Sequence, residues 1–302
     1  MNEEMNMNEV RIRAYGKINL GLDVVGKRDN GYHDVRMIMQ TVGLYDWIII
    51  SKKKEPGITM EANLNFLPTD ENNLVYKAVK LMMDHYHISS GVHIVLKKMI
   101  PVAAGMAGGS SDCAAALYGM NRLFNLGLSK RKLMEYGIIL GADVPYCLMR
   151  GTALSEGIGE ILTPLPPMPE CYILIGKPQI SVSTKFVYEH LQWDKVPSHP
   201  DIDGMVDALK QRDLSGVTER LGNVLETVTI PEYPIIQLIK DRMMELGAEN
   251  ALMSGSGPTV FGIFREKEKA ENACLCMRRE GQARHVYLVT PFNTKNGDRR
   301  SE

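Results

Sequence analysis

The chain has 302 residues, 44% hydrophobic and 24% charged, with enough apolar material for one large core or two smaller ones. Lys and Arg total 35 against 36 Asp and Glu, so a net charge of -1 offers no global field for nucleic acid or an anionic membrane, and partners must be recognised locally. The polar, acidic start over residues 1–9 lacks the pattern of a secretion signal, no apolar run approaches the roughly 20 residues of a membrane helix, and five cysteines form no C-x-x-C pair, which together predict a cytoplasmic protein without disulfides.

In chain order, residues 10–14 and 18–25 read as two strands on either side of 15–17, and Asp29-Asn30-Gly31 is the turn that follows. Residues 37–42 and 47–51 read as two more strands, giving a β-rich start. Asn72-Asn73 precedes a helical period over 74–86, and 93–99 alternates as a strand that runs into a loop at Pro101. The alanine-rich stretch 112–124 predicts a helix, and 129–140 another, capped by Ser129.

The densest proline cluster, 164–169, is the natural linker between a first domain, 1–163, and a second, 164–302. Beyond it, 172–175 reads as a strand, 183–191, 203–210 and 234–246 as helices, and 251–264 as two strands pinched by Ser254-Gly255-Ser256-Gly257-Pro258. The tail 293–302 is polar and predicted to fray. His85, His87 and His93 lack a carboxylate at ligand spacing, and Cys274 and Cys276 fall on different faces of a helical stretch, so no metal-ligating set is predicted.

The chemistry concentrates in Pro101, Val102, Ala103, Ala104, Gly105, Met106, Ala107, Gly108, Gly109, Ser110 and Ser111, where a strand hands over to a helix. The first N–H groups of a helix have no internal partner and sit at the positive end of its dipole, so an anion placed there gains several hydrogen bonds at once. Glycines let the backbone approach a phosphate, and serine hydroxyls add donors or stand near a magnesium ion. A close-packing glycine connection is the plainer alternative, but three glycines and two serines within seven residues favour phosphate. The run has neither the Gly-Lys-Ser end of a Walker loop nor the first G-x-G of a dinucleotide fold.

Gly16-Lys17-Ile18-Asn19-Leu20, the central loop and Ser254-Gly255-Ser256-Gly257-Pro258 resemble, in order and separation, the three motifs of the GHMP kinases, the superfamily of galactokinase, homoserine kinase, mevalonate kinase and phosphomevalonate kinase. Asp29-Asn30-Gly31-Tyr32-His33 and Gly141-Ala142-Asp143-Val144-Pro145 narrow the likeness to the branch acting on 4-diphosphocytidyl-2-C-methyl-D-erythritol in the non-mevalonate isoprenoid route. The resemblance implies an α+β fold of two domains: an N-terminal ribosomal-protein-like α/β domain with a left-handed crossover, and a C-terminal ferredoxin-like α/β domain. It also implies ATP as co-substrate, Mg2+, and phosphorylation of the 2-hydroxyl of a substrate carrying a cytidine diphosphate, by a monomer or weak homodimer.

By the same resemblance Asp143 is the general base, and Lys17 is its partner, holding it ionised and neutralising charge on the moving phosphoryl group. Asn19, two residues on, points to the same strand face as Lys17 and could bond the substrate. Tyr32 and His33 follow a turn, where a ring and an imidazole are available to a flat base; the resemblance makes that base cytosine, with Thr184 as a further contact. Tyr188 is the second stacking ring and Phe186 the alternative. Asn73 and residues 97–100 are where the family meets adenosine. Asp112 stands where asparagine is common; an acid there suits the helix dipole but not a phosphate, so it is an adenosine contact or a cap. Met106 replaces a common leucine at similar volume. A kinase for mevalonate or homoserine would leave Tyr32 and His33 no base to hold, and a non-catalytic nucleotide binder would not need Lys17 and Asp143.

Overall fold

The computed structural model describes residues 3–6 and 8–293, so most of the predicted frayed tail lies outside the described residues. The first half runs β1 (Glu3–Asn6), β2 (Glu9–Lys27), β3 (His33–Lys53), β4 (Ile58–Ala62), α1 (Leu74–His85), β5 (Gly91–Lys97), α2 (Gly108–Leu123), α3 (Lys130–Leu140), α4 (Val144–Met149), β6 (Thr152–Glu156) and β7 (Ile161–Pro164). The second half runs β8 (Tyr172–Lys177), α5 (Thr184–His190), α6 (Ile202–Gln211), α7 (Leu214–Glu219), β9 (Gly222–Asn223), α8 (Glu226–Glu232), α9 (Ile235–Glu245), β10 (Asn250–Met253), β11 (Val260–Phe264), α10 (Lys267–Glu280) and β12 (His285–Val289). Strands β1, β2, β3, β5 and β4 form one sheet in that order, with β6 and β7 joined through β3 and β9 through β2; β10, β11, β8 and β12 form a second. Strand β7 of the first sheet ends at Pro164 and β8 of the second begins at Tyr172, on either side of the proline cluster, and the chain returns to the first sheet in β9.

Two sequence expectations change here. The strands predicted at 10–14 and 18–25 are one 19-residue strand, and those at 37–42 and 47–51 one 21-residue strand. They pair antiparallel throughout, and shifts of register between Tyr15 and Lys17, Asn19 and Gly21, and Val24 and Gly26 absorb the breaks in the apolar pattern. Such irregularities bend a ribbon without ending it. The second change is that α2 starts at Gly108, four residues before the predicted helix, because Ala107 takes a left-handed conformation (φ 53°) and turns the chain straight into the helix. The glycines and serines are therefore its first turn.

Both faces of β2 and β3 are buried, which explains their nearly unbroken apolar runs. One face packs under α1 and α2, around Ile12, Ile48, Val79 and Leu117. On the other, Ile18, Leu20 and Ile38 join Ile173, Phe261 and Ile263 of the second sheet and Met205 and Leu209 of α6. Among the described residues no helix is long and apolar enough to cross a membrane.

Gly119 marks where α2 crosses closest to the sheet: a Cβ there would stand 2.7 Å from Ile12 Cδ1 and 2.9 Å from Ile50 Cδ1. Gly119→Val is expected to overpack this contact and cost about 1–3 kcal/mol. Urea unfolding should show a lower midpoint at unchanged slope, and an unchanged midpoint would refute the close crossing.

Candidate active site

A cavity of about 1150 Å³ opens between the two halves, larger than the roughly 300–1,000 Å³ of a site for one drug-sized ligand. Its wall carries Lys17 and Asn19 of β2, the loop after β5, Asp143 at the start of α4, Thr184 and Tyr188 of α5, and the β2–β3 turn with Tyr32 and His33. Five separate motifs of the sequence thus meet in one space.

The loop reaches that space because several groups hold it. Gly105 has φ +70°, and a Cβ on it would lie 2.2 Å from Ser254 O, so the close approach of the Ser254–Gly257 turn requires glycine. Ser254 Oγ donates to Gly105 O at 3.0 Å, and Asn223 Nδ2 donates to Met253 O and Gly255 O, both at 2.8 Å, fixing the turn from behind. Sequence reasoning missed Asn223. It sits in the two-residue strand β9, beside β2, with no motif around it.

Not all of the loop faces the cavity. Pro101 to Gly105, Ala107 to Ser110, and Asp112 line it, whereas Met106 is buried in the core and Ser111 Oγ donates to Tyr15 O at 2.6 Å, tying α2 to β2. The Ser111 hydroxyl is therefore occupied rather than presented to a phosphate. Asn73 lines the cavity too, but its Oδ1 accepts Val75 N as the cap of α1 and its Nδ2 donates to Pro68 O.

Asp112 departs furthest from expectation. With α2 beginning at Gly108 it lies past the first four helical residues, is not the cap, and instead accepts a bond from Lys98 Nζ at 2.7 Å. Lys98 Nζ also donates to Asp46 Oδ2 at 2.5 Å, and Asp46 Oδ1 accepts Met99 N and Ile100 N. All three side chains are buried. Two carboxyl groups share one ammonium away from water, so ionising both would leave a charge uncompensated there. Burial pushes the Asp112 carboxyl well up, Lys98 pulls it back, and Asp46 adds to the rise. For Lys98 burial opposes the charge, but its two partners prevail and raise it. Asp112 Oδ1 has no hydrogen-bond partner.

At the other wall, Lys17 Nζ donates to Asn19 Oδ1 at 2.6 Å and to Gly105 O at 3.3 Å. The expected pairing of Lys17 with Asp143 is not made among the described residues. Asn19 is two positions along the same strand face and within immediate reach, while Asp143 stands at the start of α4, half-buried and without a capping bond. Asn19 Nδ2 rests on Met37 Sδ at 3.2 Å, so its orientation is set by β3.

At the far end His33 is buried, its Nε2 has no partner, and burial followed by the nearby Lys27 charge lowers its proton affinity, favouring the neutral ring. The Tyr188 ring lies 5.3 Å from the His33 ring, and burial with the nearby Asp143 charge pushes its phenol up. Tyr188 stands on the cavity wall, while Phe186 packs on His190 at 4.1 Å. Tyr32 is 59% exposed at the rim, an apolar face with no cover of its own. Thr184 Oγ1 bonds Ser256 Oγ at 2.8 Å, joining α5 to the glycine turn.

Residues 73–151 match the model of the GHMP kinases N terminal domain and residues 205–283 that of the GHMP kinases C terminal. A 4-diphosphocytidyl-2-C-methyl-D-erythritol kinase from Lachnospira eligens is 59% identical over 286 residues, covering 95% of this chain and 99% of that one. The protein of the same name from Enterococcus faecalis is 50% identical over 281 residues, covering 93% and 98%. A crystal structure of a 4-(cytidine 5'-diphospho)-2C-methyl-D-erythritol kinase superposes with a TM-score of 0.81 at 29% identity, over 94% of this chain and all of the other. Homoserine kinase from Cytophaga hutchinsonii, at 20% identity and a TM-score of 0.75 over 97% of each chain, shares the fold.

The raised Asp112 value has a sign that can be checked. An acid whose folded pKa lies above the unfolded 3.8 contributes stability that is full below 3.8 and is lost as pH rises through the folded value. Asp112→Asn carries no such proton, so as pH rises above 3.8 its unfolding free energy should gain on that of the wild type. A difference that stays flat above pH 3.8 would mean Asp112 is not perturbed.

Proposed function

Because this chain belongs to the 4-diphosphocytidyl-2-C-methyl-D-erythritol kinases of the GHMP family, we propose that it transfers the γ-phosphoryl group of ATP to the 2-hydroxyl of 4-diphosphocytidyl-2-C-methyl-D-erythritol, giving the 2-phosphate and ADP. The observation that carries this reading is the single cavity whose lining holds a helix-borne glycine loop, the Tyr188–His33 pair, Lys17 and Asp143 together. A nucleotide donor and a base-carrying acceptor need both the loop and the ring pair.

At the donor end the N–H groups of Gly108, Gly109 and Ser110, in the first turn of the 16-residue helix α2, converge on the phosphates along the positive end of the dipole. Leu74, Leu96 and Asn73 line the place for the adenosine. At the centre Asp143, with no hydrogen bond of its own to give up, takes the proton of the acceptor hydroxyl. Lys17, steadied by Asn19 and Gly105 O, supplies positive charge where the phosphoryl group moves. Among the described residues Lys17 and Asp143 make no direct contact, so each acts on that group separately.

Magnesium travelling with the nucleotide neutralises charge on the β and γ oxygens when bound. The hard oxygen donors facing the cradle, the Ser110 hydroxyl and the Asp143 carboxylate, suit an ion that takes only one or two protein ligands beside phosphates. At the acceptor end Tyr32 and Tyr188 stack on the two faces of cytosine, the unpartnered His33 Nε2 bonds its edge, and Thr184 and Asn19 meet the rest of the substrate. We place the enzyme in the cytoplasm, as a monomer or weak homodimer with an ATP-binding domain over 1–163 and a C-terminal domain over 164–302.

Purified protein with ATP, magnesium and this acceptor should form ADP, and turnover of mevalonate or homoserine in its place would refute the reading. Asp143→Asn should lower kcat by about 10²–10⁴-fold at nearly unchanged KM for ATP; intact turnover would remove Asp143 as the base. Tyr32→Ala should raise the acceptor KM by roughly 5- to 150-fold, the equivalent of losing about 1–3 kcal/mol of stacking, without raising that for ATP.

A further inference from the structure

Four lysines line the cavity: Lys17, Lys27, Lys98 and Lys185. Three already have acceptors on the protein. Lys17 is bound to Asn19 and Gly105 O, Lys98 to Asp46 and Asp112, and Lys185 lies 3.8 Å from Glu189. Among the described residues Lys27 has neither a hydrogen bond nor an ion pair for its ammonium, although its neighbour Arg28 is fully engaged with Asp34. A lysine on a cavity wall with no internal acceptor keeps its charge for what enters.

Its position says what that is. The antiparallel register sets Lys27 directly opposite His33, and residues opposite each other in such a pair project to the same face of the sheet. Lys27 therefore stands on the cavity wall beside His33, the residue that holds the base in the reading above. Its charge is close enough to His33 to lower the proton affinity of that ring.

Resting on the acceptor reading above, we propose that Lys27 is a specificity-determining residue that binds the diphosphate of the cytidine-diphosphate acceptor. In such an acceptor the two phosphates follow the ribose that carries the base, so they emerge next to whatever holds the base. An ammonium on a flexible stem meets phosphate oxygens as a point charge without demanding one geometry. The division of labour is then consistent along the cavity: helix N–H groups for the donor phosphates, Lys17 for the phosphoryl group in transit, and Lys27 for the acceptor diphosphate. Because Lys27 is exposed, replacing it leaves the core intact.

Competitive inhibition against the acceptor separates the contributions, with cytidine and cytidine diphosphate as probes on the wild type, Lys27→Ala and Lys27→Arg. In the wild type the diphosphate should inhibit more strongly than the nucleoside. In Lys27→Ala the inhibition constant for cytidine diphosphate should rise ~10-fold, as expected for loss of one charge-assisted contact, with cytidine and the KM for ATP unchanged. Lys27→Arg, which keeps the charge, should retain most of the wild-type advantage. An unchanged constant for cytidine diphosphate in Lys27→Ala, or an equal loss for cytidine, would overturn the assignment while leaving the acceptor site standing. Failure of both probes to inhibit the wild type would overturn the cytidine site itself and this assignment with it.

Discussion

Lys98 closes the phosphate loop at both ends. Its ammonium joins Asp46, whose other oxygen holds the N–H groups of Met99 and Ile100 at the entry to the loop, and Asp112 in the helix that leaves it. The backbone of Lys98 is gripped in turn by Asn63, which accepts from its N–H and donates to its carbonyl. A buried cluster of this kind is weak evidence for net stability, since desolvation offsets most of the attraction. What it supplies is position: β3, the end of β5 and α2 cannot shift separately without stranding a charge in the core.

Everything that approaches the loop depends on that position. Lys17 donates its own N–H to Met106 O at 3.1 Å and its ammonium to Gly105 O, so the first motif is measured off the second. The Ser254–Gly257 turn reaches Gly105 through a distance that only glycine leaves open, and Asn223 and Thr184 carry that contact back to β9 and α5. The cavity is thus assembled from the second half of the chain onto a frame fixed in the first.

Much of this was legible before any coordinates. Glycine and serine at a strand-to-helix junction announce an anion site because the requirement is local: backbone N–H groups, no Cβ in the way, and a dipole. Ser129 as a helix cap and the turn at 29–31 are likewise short-range. Sequence reasoning misplaced what depends on distant neighbours. Nothing within a few residues of Ser111 says that its hydroxyl is spent on Tyr15 O, and nothing near Asp112 says that Lys98 and Asp46 surround it. Tyr188 and Phe186 are two apart on one short helix, and only the packing of Phe186 against His190 separates them.

The sequence by itself determined the strongly periodic elements, the loop and the set of residues that could do chemistry, because these follow from periodicity, turn chemistry and motif spacing within short windows; the short elements such as β4, β6, β7, α4 and β9 carry no such local signal. Tertiary structure alone decided which of them face one another. It paired Lys17 with Asn19 instead of Asp143, since a strand brings its second neighbour to the same face. It also left Lys27, among the described residues, as the lysine of that cavity without an acceptor of its own, because the register of β2 on β3 sets it opposite His33.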